Sequence, residues 1–210
     1  MPRPVDHDER RTQITAALLR IAGTRGLRAV TMREVAAEAR MSLRLIQYYF
    51  TDKRTLLAAG LSELAARLDR RVRERAATLG TGLPPRTVLE VLLSAIVPTD
   101  QSSRLDQLAW TAYYAAALTD DTLMATGPAY PTALEDFLTA QLVSAQAAGD
   151  VDSDRDPRTE AVTLLALANG LTASILGGQH TPEATLTTLT YQLDQLFRPR
   201  PGRAKRPTAM

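Results

Sequence analysis

Residues 31–57 read TMREVAAEARMSLRLIQYYFTDKRTLL. Thr31 and Glu34 have the spacing of a capping box, so a helix is expected to start at Thr31, its hydroxyl taking the N–H of Glu34 while the Glu34 carboxylate reaches back. Val35, Ala36 and Ala39 give that helix a narrow apolar face of small residues, suited to close crossing by another helix. Arg40 and Met41 make the turn, and Ser42 is a second N-cap. From Leu43 to Phe50, Ile46 and Phe50 lie four apart and form one inward stripe on about two helical turns. Thr51 or Asp52 caps the helix that follows.

The outward face of the second helix is left for a partner. It carries Leu43, Arg44, Leu45, Gln47, Tyr48 and Tyr49. Arg reads guanine, Gln reads adenine and aliphatic groups meet the thymine methyl in a major groove, while hydroxyls reach phosphates. Lys53 sits in the first turn of the next helix, where the macrodipole disfavours a cation unless an anion docks beside the open N–H groups. Thr31, Arg33, Ser42, Leu43, Arg44, Leu45, Gln47, Tyr48, Tyr49 and Lys53 are therefore the expected DNA-binding residues, and double-stranded DNA the expected partner.

These residues resemble the DNA-binding domain of the TetR family of bacterial transcriptional regulators. The match falls at Thr31, Ala36, Ala39, Ser42, Phe50, Lys53 and Leu56, with conservative replacements at Val35, Met41 and Ile46 and no gap. Four positions depart from the family pattern. Arg40 stands where the turn glycine is usual, Arg44 where a second glycine often occurs, Gln47 where a phosphate-contacting Tyr is common, and Tyr49 where His is frequent. If the turn needs a positive φ, Arg40 costs about 1 kcal/mol.

Composition agrees with a soluble, two-part chain. Of 210 residues 45% are hydrophobic and 23% charged, an ordinary globular balance. Cysteine is absent and only His7 and His180 are present, so no thiolate metal site is expected, and no cofactor. No apolar run approaches about 18 residues and no signal-peptide pattern opens the chain, so no membrane partner and a cytoplasmic location are expected. The overall charge of +2 hides a division: residues 1–75 carry +7, residues 76–197 carry −10 and residues 198–210 carry +5. A basic end neutralises phosphate while an acidic remainder stays off it.

The expected organisation is all-α: a three-helix helix-turn-helix domain over residues 1–54, with residues 1–7 as a flexible arm, then a larger helical effector-binding and dimerisation domain over 55–198 and a disordered basic tail over 199–210. Residues 8–26 supply the first helix, with Ile14, Ala17, Leu18, Ile21 and Ala22 in a 3.6-residue stripe. A long amphipathic helix from Lys53 ends near Gly80 or Gly82. Pro85 opens the next and Pro98 stops it. Further helices are expected at about 103–118, at about 121–148 with a break near Gly127 and Pro128, at 156–176 and at 182–197.

On the last two, Leu165, Ala168, Thr172 and Ile175, and Leu186, Leu189, Leu193 and Leu196, alternate steps of three and four like a coiled-coil seam. The family resemblance implies that they pair with their copies in a second subunit, giving a homodimer that grips two half-sites of a palindromic operator. Gln107, Trp110, Tyr113, Tyr114, Met124 and Tyr130, with Asn169 and Thr172, hold the only Trp and most of the Tyr of this region, and are the expected walls of a small-molecule effector pocket. Few charges among them point to a hydrophobic effector whose binding releases the repressor from DNA.

Other chemistry fits less well. Asp150, Asp152, Asp154 and Asp156 alternate like the opening of a calcium loop, but Arg155 stands at the sharp-turn glycine and Ala161 at the bidentate Glu. No nucleophile elbow, phosphate loop or His-on-helix pair occurs. An enzyme would have to rely on carboxylates such as Glu135 or Asp136. A helical interaction protein that has lost DNA binding is the other alternative, motivated by Arg40 and Gln47.

Overall fold

The computed structural model describes residues 7–119 and 129–197, without the side chains of 129 and 130. The described residues are all-α: α1 (His7–Arg25), a 3-10 turn (Leu27–Ala29), α2 (Met32–Ala39), α3 (Leu43–Tyr49), α4 (Lys53–Leu79), α5 (Pro85–Ile96), α6 (Gln101–Ala117), α7 (Ala129–Ala148), α8 (Pro157–Leu176) and α9 (Pro182–Leu196). The arm over 1–6, the helical start expected at 121–128 and the tail over 199–210 lie outside the described residues. His7, expected in the arm, is instead the first residue of α1.

Contacts group the chain into two compact units, 1–74 with 98–132, and 75–97 with 133–210. The unit holding the helix-turn-helix thus runs past residue 54, because Leu56, Leu57 and Leu64 of α4 and Ala109 and Tyr113 of α6 share one core with α1–α3. Ile14, Ala17 and Leu18 of α1, Val35 of α2, Ile46 of α3 and Phe50 after it are all fully buried. Each large apolar side chain so buried stabilises the fold by roughly 1.5–3 kcal/mol.

Two glycines let the helices of this unit approach closely. A Cβ on Gly23 would lie 2.7 Å from the Leu105 carbonyl oxygen, and one on Gly60 would collide with the Tyr113 hydroxyl. That hydroxyl donates to the Leu57 carbonyl at 2.9 Å, and burial pushes the phenol's pKa up. Asp106, 3% exposed, accepts from Arg67 at 2.9 Å and from Arg71 at 2.6 Å, and Arg67 also pairs with Glu63 at 2.9 Å. Burial opposes the Arg67 charge, but the bonds to Glu63 and Asp106 outweigh it and hold its pKa above the ordinary value. Removing Asp106 would leave Arg67 with Glu63 alone and strand the partly buried Arg71, the costly way to break such a cluster.

The second unit packs α5, α8 and α9 against one another. Leu89, Leu93, Leu164, Ala168, Leu189 and Leu193 are buried there. Pro85, Pro157 and Pro182 each open a helix, where the missing N–H costs nothing.

Caps follow the local chemistry. Thr31 Oγ accepts from Glu34 N at 3.1 Å, and Ser42 Oγ from Leu45 N at 3.2 Å. The reciprocal half of the box expected at Glu34 is not formed, since its carboxylate accepts from Arg25 at 2.8 Å instead. Asp52, not Thr51, caps α4 by accepting from Thr55 N at 2.7 Å. Asp156 and Thr181 cap α8 and α9.

Asp100 forms a complete capping box with Ser103 at the start of α6, with bonds of 2.8 and 3.1 Å. The Ser103 N–H is the main cause holding the Asp100 carboxyl below its ordinary pKa. Its contribution is therefore present above the unfolded carboxylate range, about 3.9, and is lost as pH falls through the lower folded value. Asp100→Ala is expected to lower stability by about 1 kcal/mol at neutral pH. The gap from wild type in urea midpoints should close in strong acid; a gap of constant size down to pH ~2 would refute the assignment.

Arg40 adopts φ 55°, ψ 43°, and is the one non-glycine residue with positive φ among those described. Its N–H bonds the Ala37 carbonyl at 3.1 Å, and Met41 N bonds that of Ala36 at 2.9 Å, closing α2 before the turn. Arg40→Gly is expected to raise stability by about 0.5–1 kcal/mol, because glycine takes the left-handed region without a Cβ clash. Chemical denaturation checks it, and a lower midpoint for the variant would contradict the strain.

Candidate nucleic-acid interface

A helix of seven residues has little stability alone, so α3 depends on what holds it. Ile46 and Phe50, both 0% exposed, face the core, and Ser42 closes the N-terminal end. Arg44, Gln47 and Tyr48 are left exposed. Leu45 is half-buried, and Leu43 and Tyr49 share their surface with the core, against which they partly pack. Thr31 and Ser42 are exposed and engaged as caps, so they fix the ends of α2 and α3. Arg33 on α2 and Lys53 at the start of α4 are exposed and, with Arg44, form no ion pair among the described residues. By contrast Arg20 and Arg25 are engaged by Glu38 and Glu34 at 2.7 and 2.8 Å.

The start of α1 also touches the far end of α3. The His7 ring lies 5.9 Å from that of Tyr48 and 5.3 Å from that of Tyr49, while the two tyrosines meet edge-on at 5.2 Å. Arg11, one turn on, donates to the Tyr49 carbonyl at 3.1 Å and lies over the Phe50 ring at 4.6 Å. Sequence reading missed both residues, because nothing local in His7 or Arg11 reports a partner so distant along the chain.

The residues expected to line an effector pocket are divided between the two units. On α6, Tyr113 is 3% exposed with its ring in the core, Gln107 is buried, Trp110 is half-buried against the core and Tyr114 is 70% exposed. The Tyr113 hydroxyl has a backbone partner and its ring closes over Gly60. On α8, in the other unit, Asn169 is exposed and Thr172 buried. Met124 and the Tyr130 side chain lie outside the described residues. Each unit has an open cavity lined by other residues: about 550 Å³ beside Arg20, Arg67, Asp100 and Leu105, and about 450 Å³ beside Leu79, Val91, Leu186 and Leu193.

The seams expected to meet a second subunit face inward. Ala168, Thr172 and Ile175 on α8, and Leu189, Leu193 and Leu196 on α9, are buried within this chain, while Leu165 and Leu186 are half-buried. The reason is that α8 and α9 pack on each other and both on α5, and this consumes the three-and-four stripe. What remains outward on α8 is Arg158, Thr159, Val162, Thr163, Ala166, Asn169, Gly170 and Ala173, and on α9 Glu183, Ala184, Thr187, Thr188 and Tyr191. By length and composition α8 is apolar enough to cross a membrane, with a mean hydropathy of 1.4 over 18 residues, yet only 28% of that window is buried. Polar residues such as Asn169 and Thr172 break its apolar run and hide this from a reading of continuous stretches.

A short capped helix, pinned from behind and presenting Arg, Gln and Tyr outward after a tight turn, defines a helix-turn-helix DNA-binding protein. Residues 14–59 match the family described as bacterial regulatory proteins, tetR family, and residues 85–198 match the C-terminal domain of the BetI-type transcriptional repressor. The chain belongs to the TetR family of bacterial transcriptional regulators.

It is 32% identical over 117 residues to the HTH-type transcriptional regulator PksA of Bacillus subtilis, a match that covers 56% of each chain. The chain thus spans about half the length of that relative. With the HTH-type transcriptional regulator BetI of Burkholderia thailandensis it shares 28% identity over 203 residues, 95% of this chain and all of that one. Among solved structures, a TetR-family transcriptional regulator from Rhodococcus sp. superposes with a TM-score of 0.84 at 28% identity, covering 90% of this chain and 100% of that one. A regulator from Saccharomonospora viridis, solved in complex with choline, has the same fold, with a TM-score of 0.77 at 23% identity over 89% of this chain and 96% of that one. The relatives are regulators and not enzymes, and so is this chain.

Proposed function

We propose that this regulator is a homodimeric repressor that places one α3 from each subunit in the major groove of a palindromic operator and leaves it when a small hydrophobic effector binds. The observation that carries this reading is α3 itself, buried through Ile46 and Phe50 and open through Arg44, Gln47 and Tyr48. Thr31, Arg33, Ser42, Leu43, Leu45, Tyr49 and Lys53 complete the surface around it. Residues 1–54 read DNA, residues 55–198 serve the effector and the second subunit, and the protein works in the cytoplasm beside its operator.

Arg44 supplies base-edge hydrogen bonds and Lys53 a phosphate contact at the N-terminus of α4. Arg44→Ala is expected to weaken binding to the cognate palindrome by about 1–3 kcal/mol and to change base preference. Lys53→Ala should lower affinity for all sequences alike and flatten the salt slope by about one unit. Fluorescence anisotropy against matched and scrambled duplexes at several salt concentrations separates them, and equal, sequence-independent losses from both variants would refute the division of roles.

The second subunit covers the outward face of α8. Val162, Ala166, Gly170 and Ala173 are small or apolar and exposed, on a helix with a mean hydropathy of 1.4 over 18 residues. Small side chains let two helices approach closely, and two half-sites about one DNA turn apart require two copies of α3. Ala173→Arg is expected to shift the chain from dimer to monomer in sedimentation velocity while helical content stays unchanged. A variant that sediments as wild type would move the interface elsewhere.

The effector acts by preferring one of two conformations, so that its binding lowers the population able to match both half-sites. The choline in the Saccharomonospora viridis regulator supports a small-molecule site in this fold.

A further inference from the structure

We propose that His7 is a positioning residue for DNA recognition: its ring sets the pose of Tyr48 and Tyr49, so that the first turn of α1 governs what the end of α3 presents to the duplex. The inference rests on the reading of α3 as the helix that enters the groove, and it adds a residue from outside the helix-turn-helix to the recognition surface.

The inward side of α3 is fixed by Ile46 and Phe50, and Tyr49 packs partly against the core, but the core does not fix Tyr48. Tyr48 is 70% exposed. On a helix surface such a phenol ring would exchange freely among rotamers, and ordering it on binding would cost affinity. Two rings restrain it here, Tyr49 edge-on at 5.2 Å and His7 at 5.9 Å and 44°. His7 also tilts against Tyr49 at 5.3 Å and 58°. These centroid distances lie in the range where aromatic pairs attract in tilted and edge-on geometries. His7 touches both tyrosines, so the three rings close a triangle, and Tyr48 and Tyr49 are braced from a separate helix.

Arg11 makes the brace rigid. The last carbonyls of α3 have no partner within the helix, and the Arg11 guanidinium donates to that of Tyr49 at 3.1 Å, placing a cation at the negative end of the dipole. The same guanidinium lies 4.6 Å over Phe50, a cation–π contact. His7 and Arg11 are one turn apart on α1, so a single helical face holds the backbone end of α3 with one residue and its outward rings with the other. A ring at position 7 is therefore needed for its shape and its contact with the two phenols.

The test uses the full-length chain and a duplex that the wild type has selected from a random-sequence pool. Affinity is measured for wild type, His7→Ala, His7→Phe and Arg44→Ala, and for His7→Ala in a Tyr48→Ala, Tyr49→Ala background. His7→Ala is expected to lose about three- to tenfold in affinity, the scale of one or two aromatic contacts, with an unchanged salt slope and unchanged melting temperature. His7→Phe should restore wild-type affinity within about twofold, because the ring returns. In the background lacking both tyrosines, His7→Ala should cost nothing further, since the residue acts only through them.

Equal binding by wild type and His7→Ala, while Arg44→Ala still loses affinity, would overturn the role of His7 and leave the α3 reading intact. A His7→Phe variant as weak as His7→Ala, with a shallower salt slope, would overturn it too, by making the imidazole itself a phosphate ligand. Failure of the wild type to select any duplex would remove the α3 reading and this inference together.

Discussion

A two-turn helix cannot hold its own shape in water, and the helix proposed to read DNA in this regulator is such a helix. Burial of Ile46 and Phe50 in the core shared with α1, α2 and α4 is what gives α3 a fixed angle. The constraint runs outward from there. The core must be apolar under every residue that faces back, Ser42 must end the helix on one side, and the turn before it must close tightly enough that Arg40 takes a left-handed backbone. The exposed residues Arg44, Gln47 and Tyr48 are free to vary in chemistry because they lie outside the core.

The same core extends into the longest helix. α4 is about 40 Å long by its 27 residues, and residues 53–74 of it belong to the unit that contains α1–α3 and α6. Tyr113 against Gly60 and Asp106 between Arg67 and Arg71 fix α6 to α4 at two levels. A displacement of α6 would therefore carry this part of α4 and the helix-turn-helix with it.

Much of this was legible in the sequence because it is local. Thr31, Ser42, Asp156 and Thr181 announce helix starts through short-range hydrogen bonds, and Pro85, Pro157 and Pro182 do so by what they lack. The inward pair Ile46 and Phe50 follows from helical spacing. What the sequence hides is which neighbour satisfies a pattern. Glu34 could reach back along its own helix or across to Arg25, and it goes across. The stripe through Ala168, Thr172 and Ile175 is correctly apolar, but period alone does not say whether its partner is another helix of the same chain, as it is. An aromatic with a hydroxyl such as Tyr113 fits a pocket or a core equally well, and its sequence neighbours do not announce the distant Leu57 carbonyl that its hydroxyl meets. His7 looked like part of an arm because its partners lie on another helix.

Gly60 has a consequence for how this lineage can change. The position is in mid-helix, where glycine is locally unfavourable by up to about 1 kcal/mol, and alanine would ordinarily be an improvement reached by one nucleotide change. Here the methyl group would meet a phenolic oxygen and the Leu18 side chain at once. The route to a sturdier α4 is therefore shut unless Tyr113 changes first, and Tyr113 cannot lose its hydroxyl without leaving a backbone oxygen short of a donor. Two sites on separate helices are bound to one evolutionary fate, so drift at either would have to pass through a less fit intermediate.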